Sequence, residues 1–153
     1  MNNDWKTDAL SALEAFVAAA RLAEAPLFDA DMQIEFSQAP HERPTGMPKG
    51  KMAVYGFWGD GEWLKIGKAG PKSGPRFAYQ HYKANSANST LAGSLIKDRN
   101  MIGIPGFDGD DPGDWVQKHT HRMNIFMSAE QPRELLSFLE AFLHLRLRPR
   151  YEY

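Results

Sequence analysis

The chain has no cysteine, so it can form neither disulfides nor cysteine-ligated zinc sites, and its composition suits a reducing compartment. It also lacks any apolar run of membrane-spanning length. Met1 to Lys6 shows no basic region followed by an apolar core, so no secretory signal is expected and a cytoplasmic location is. Internal repeats and low-complexity tracts are absent. Gly67-Lys68 is no phosphate-binding P-loop, because the upstream glycine is missing and Ala69 stands where serine or threonine belongs. The acidic run Asp108-Gly109-Asp110-Asp111-Pro112-Gly113-Asp114 lacks both the Ca²⁺-loop spacing and its terminal glutamate, and reads as a solvated loop.

What remains is a chain of 153 residues, 42% hydrophobic and 12% aromatic, enough for one folded domain. Its net charge is −1, yet the charge is unevenly spread. Lys49 to Asn100 carries nine cations against three anions, whereas the first 48 residues carry eight anions against three cations. A cationic middle on a neutral whole is the footprint of a polyanion-binding face.

Periodicity predicts an amphipathic helix over Asp4 to Ala25, ended by Pro26. Leu27 to Phe36 is ambiguous. Ser37 to Gly50, with Pro40, Pro44 and Pro48, reads as a linker. Met52 to Trp58 and Trp63 to Lys68 form a strand pair around Gly59-Asp60-Gly61-Glu62. A helix starts at Pro75 and runs to about Tyr82, and Ser89 or Thr90 caps another over Leu91 to Asp98. Met101 to Asp114 reads as a loop, Arg122 to Met127 as a strand, and Pro132 to Arg148 as a closing helix. The expected fold is α+β: a small three-stranded antiparallel or mixed sheet flanked by helices, over residues 51–153. Residues 1–50 form an N-terminal helical extension and linker.

Several side chains carry chemistry. Around the turn, Tyr55 and Lys65 can end up close across the hairpin. A phenol among cations can position or deprotonate water, and a core aromatic with a satisfied hydroxyl is the plainer role. Gly67 allows close approach, Arg76 offers a planar fork for phosphate, and His81 can carry a proton. Glu140 sits in a largely apolar helix and needs a partner, either a divalent cation or His144 one turn on. His119-Thr120-His121 is a candidate metal pair without a third ligand.

Together these residues resemble the GIY-YIG endonuclease superfamily. Ala53-Val54-Tyr55 matches the first motif with alanine for glycine, and Lys65-Ile66-Gly67-Lys68 matches the second with lysine for tyrosine. Arg76 and His81 fall where the family has its helical arginine and following histidine. Leu139-Glu140 with Pro149-Arg150-Tyr151 resembles its metal-binding glutamate and the end of its helix. The resemblance covers about Met52 to Tyr153 and implies a DNA endonuclease using Mg²⁺ or Mn²⁺. Glu140 would bind the metal, Tyr55 or Lys65 would activate water, and Arg76 would stabilise the transition state. Lys68 and His81 would support, and Lys72, Lys83, Lys97 and Arg150 would contact nucleic acid. Glu152 departs from the family's usual asparagine. A homodimer would let so small a chain cut both strands, and the N-terminal helix is a surface for a protein partner. The alternative is a module that keeps the fold and binds nucleic acid without cutting it.

Overall fold

Alanine-rich sequence with apolar side chains every three or four residues makes helix α1 (Asp4–Leu22), which buries Trp5, Ala9, Ala12, Phe16, Val17 and Ala20. It stops short of Pro26 because Glu24 turns left-handed (φ 62°) and the Ala25 amide returns to the Ala20 carbonyl at 2.9 Å. The structure is a computed structural model and describes residues 4–25, 27, 31–87, 90–99, 104, 107 and 111–152. Pro26, Ser89 and Asp108 to Asp110 of the acidic run lie outside them, as does the side chain of Glu152.

Among the described residues the sheet has four strands where three were expected. They are β1 (Met32–Ser37), β2 (Lys51–Gly59), β3 (Glu62–Ala69) and β4 (His121–Ser128), in the order β1-β4-β2-β3, and every pair is antiparallel. The additional strand comes from the ambiguous stretch. Met32-Gln33-Ile34-Glu35-Phe36 alternates apolar and polar, and pairing with β4 buries Met32 while Gln33 and Glu35 stay exposed. The β2–β3 hairpin forms as expected: Asp60 (φ 52°) and Gly61 (φ 79°) both take the left-handed conformation that a tight two-residue turn demands.

Helices α2 (Gly74–Ala78), α3 (Leu91–Arg99), α4 (Pro112–His119) and α5 (Arg133–Leu147) complete the α+β fold, with 3₁₀ turns at Gln80–Tyr82 and Arg150–Glu152. Thr90 caps α3, its hydroxyl accepting from the Gly93 amide at 3.0 Å. The sequence predicts the end of a loop and the approach to a strand over residues 112–119. They are helical because Asp111 accepts from the Asp114 amide at 3.0 Å and Pro112 opens the first turn.

The sheet separates two apolar layers. One joins α1 and α5 through Trp5, Phe16, Val54, Ile66, Ile125 and Leu139. The other holds Tyr55, Phe57, Phe77, Leu91, Trp115 and Phe126. Helix α1 and strand β1 therefore are no appendage: α1 shares the first core, and β1 shares the sheet.

Candidate active site

On β3, alternation sends Ile66 and Lys68 to the α5 side and Lys65 and Gly67 to the other. The sheet thus divides the expected site residues between two levels. On the α5 side, Lys68, Gly70, Ser73, Arg76, Arg133, Leu136, Ser137 and Glu140 line an open cleft of about 420 Å³. Lys68 Nζ donates to Glu140 Oε1 at 3.0 Å, with the two side chains 42% and 20% exposed. The carboxylate's partner is therefore Lys68 and not His144, whose Nε2 reaches the Ile66 carbonyl at 2.9 Å. Three cations surround one carboxylate, an arrangement suited to a phosphate oxygen or another anion.

Arg133 and Ser137 are site residues that the sequence reading missed. They precede Glu140 by seven and three positions on α5, so helical spacing alone aligns them with it.

Tyr55, Lys65 and His81 stand deeper, all essentially buried. His81 Nδ1 accepts from the Leu91 amide at 3.1 Å, so the neutral ring carries its proton on Nε2 and donates it to Tyr55 Oη at 2.7 Å. Burial, then the charges of Arg76, Arg122 and Lys65, hold this imidazole well below its ordinary 6.5. Arg76 thus links the levels: it lines the cleft and its charge reaches His81. A phenol with no accessible surface meets no bulk water, and the core role weighed for Tyr55 is the one this geometry favours.

Comparison with protein-family models, curated proteins and solved structures returned no match.

Gly67 explains the close packing of the deep layer. A Cβ there would lie 2.9 Å from Tyr55 Oη and 3.0 Å from Cζ. The ring is held by His81 and cannot give way, so Gly67→Ala is expected to cost about 2 kcal/mol in urea denaturation. Tyr55→Phe, which removes the nearest atom, is expected to recover part of that loss.

The buried layer contains a cation the sequence reading overlooked. Arg122 on β4 lies 4.7–5.9 Å from the Tyr55, Phe57, Phe77 and Tyr82 rings. Its Nη2 donates to the Phe77 carbonyl at 2.6 Å, Nη1 to Tyr82 Oη at 3.0 Å and Nε to Asn124 Oδ1 at 2.8 Å. Asn124 Nδ2 passes the link to Glu35 Oε1 at 2.8 Å. Tyr82 Oη donates onward to His41 Nε2 at 2.8 Å, and His41 Nδ1 donates to the Thr120 carbonyl at 2.8 Å. Arg122 and Asn124, two positions apart on one face of a strand whose other residues to Met127 are apolar, were the available signal.

The remaining expected contacts are scattered. Lys72, Lys83 and Lys97 are exposed, and Lys83 Nζ sits 5.1 Å over the Tyr79 ring. Arg150 is engaged within the protein, with Nη2 at 2.8 Å and Nε at 3.1 Å from Asp98 Oδ2 and Nη1 at 3.4 Å from Glu62 Oε2. Tyr151 Oη also donates to Asp98, at 2.7 Å. His119 ends α4 while His121 lies on β4, so the two histidines of the candidate metal pair stand on different elements. His121 is stacked between Trp5 (4.7 Å) and Trp58 (5.5 Å) and accepts the Ala39 amide at 2.8 Å. Among the described residues no cluster of three or more potential metal-ligating side chains occurs.

His41, His81 and His121 all sit below the ordinary 6.5, each chiefly through burial. The unfolded chain therefore binds more protons than the folded one just below that value. Stability should be full above pH 6.5 and fall as pH drops toward the folded-state values, by up to about 1.4 kcal/mol per pH unit for deeply buried His81. Thermal unfolding at pH 7.5 and pH 5.0 checks this; an unchanged or higher midpoint at pH 5.0 would contradict it.

Proposed function

We propose that the protein is a divalent-metal-dependent endonuclease of the GIY-YIG kind, acting on DNA phosphodiester bonds. The observation that carries this reading is the convergence of Lys68, Arg76 and Glu140, distant in sequence, on one open cleft. The resemblance implies a three-stranded sheet flanked by helices; here the hairpin and β4 belong to a sheet of four strands, with α5 following β4.

The residues fit a single-carboxylate Mg²⁺ or Mn²⁺ site. Glu140 is the carboxylate among the cleft-lining residues, Ser73 and Ser137 bring hydroxyls to the same cleft, and water and substrate phosphate commonly complete such a shell. When bound, the ion would supply Lewis-acid stabilisation of the phosphoryl oxygens. Glu140 would exchange Lys68 for it, leaving the ammonium to offset charge on the substrate. Arg76 would bind a non-bridging oxygen through its planar fork, and Arg133 would orient a neighbouring phosphate from the start of α5. Tyr55, Lys65 and His81 would act from beneath: the phenol and imidazole fix the floor at Gly67, and the buried cations deepen the positive field at Arg76.

A second reading, a phosphate-binding module that does not cut, draws on the Lys68–Glu140 pair and the burial of Tyr55. Incubation of supercoiled plasmid with Mg²⁺, Mn²⁺ or EDTA separates the two. Metal-dependent nicking supports the enzyme; salt-sensitive binding without nicking in either metal sinks it and favours the module.

A further inference from the structure

The two edges of the sheet are treated differently. The edge at β3 is packed against the 3₁₀ turn Arg150–Glu152 and carries the exposed cation Lys68. Among the described residues, the edge at β1 carries one charge, Glu35, but no proline, bulge or covering helix that would keep another strand from pairing with it. It runs for six residues with no proline, its register with β4 is unbroken, and its α1-side face, Met32, Ile34 and Phe36, is wholly apolar. A groove of about 320 Å³, lined by Leu10, Leu13, Glu14, Met32 and Ile34, lies beside it, and Leu10 is 48% exposed.

We propose that β1 pairs with β1 of a second copy, antiparallel about a two-fold axis through Ile34, to join the two sheets into one of eight strands. The occupant follows from the strand's own pattern. A two-fold axis normal to the sheet pairs residues of the same face, so the position numbers of each pair add to an even number. Centring on Ile34 sets Ile34 against its copy and Met32 against Phe36, apolar against apolar throughout. On the opposite face it sets Gln33 against Glu35, an amide donor against a carboxylate that already accepts from Asn124. Centring on Glu35 would instead oppose two carboxylates directly, which is unfavourable. The strand is self-complementary in one of the two central registers and self-repelling in the other. The pairing also covers Leu10 and the groove, and it leaves each cleft, at the far β3 margin, open on the same side of the joined sheet.

Gln33 is exposed and makes a register-specific test that spares the fold. Sedimentation equilibrium of the full chain should give a dimer. Gln33→Glu opposes like charges twice across the axis and should raise the dimer Kd by about 2- to 30-fold, while Gln33→Lys should lower it by a similar factor. Ile34→Lys, with folding checked by circular dichroism, should give monomers. A wild-type chain that stays monomeric at about 100 μM overturns the proposal and leaves the edge to a strand of another protein. A dimer that responds to neither Gln33 substitution overturns it as well, by locating the contact elsewhere.

Discussion

Glu140→Ala should leave the fold intact and lower metal-dependent plasmid nicking by about a thousandfold or more, the several kcal/mol of transition-state stabilisation that a bound divalent ion supplies. The fold should survive because the ion pair lost is partly solvated: Lys68 is 42% exposed, and such pairs contribute about 1 kcal/mol or less. Glu140→Gln should be almost as inactive, since the amide keeps the shape but loses the charge that attracts the ion. Lys68→Ala makes the informative contrast. If Lys68 chiefly guards the carboxylate, its removal should tighten the apparent Mn²⁺ requirement while reducing the maximum rate through lost charge compensation. Nicking rates across a Mn²⁺ titration, beside a thermal melt of each variant, read out both effects. Full activity in Glu140→Ala would remove the carboxylate from the chemistry.

Arg122→Ala is expected to be the most damaging single truncation in the deep layer, at about 3–5 kcal/mol by urea denaturation. Two costs combine. The guanidinium fills the space among four rings, so its loss opens a cavity they cannot close. It also strands the Phe77 carbonyl and Asn124 Oδ1, buried acceptors on separate elements. Glu35→Gln should be far milder, because the carboxylate acts on the arginine only through Asn124 and lies at the exposed strand. A loss under about 1 kcal/mol for Arg122→Ala would mean the layer holds together on ring packing alone.

The hairpin was readable because its turn chemistry is local: Asp60-Gly61 states the backbone it needs. The missed elements were legible too, but through weaker marks. The alternation of Met32 to Phe36 signalled β1, and Asp111-Pro112 with Asp114 signalled the start of α4 beneath the acidity of the surrounding loop. At the cleft, Arg76 and Glu140 could be chosen from residue type and spacing, and the helical interval from Arg133 to Glu140 was there to be read. Burial was not. Whether a lysine or tyrosine on a strand meets water depends on which face the helices cover, so Lys65 and Lys68, three apart, meet opposite fates. Ion-pair choice was equally hidden, since Glu140 had a plausible neighbour in His144 and took one from 72 positions away.

The cleft's acid is steadied from behind. Phe138 and Phe142 on α5 meet the ring of Phe16 on α1 at 5.1 and 5.7 Å, and Arg146 reaches Ser11 at 3.3 Å. The wall that presents Glu140 therefore leans on a buttress made from the middle turns of α1. Whatever loosens that first helix would be felt as slack at the carboxylate, on the opposite flank of α5, without anything having touched the cleft.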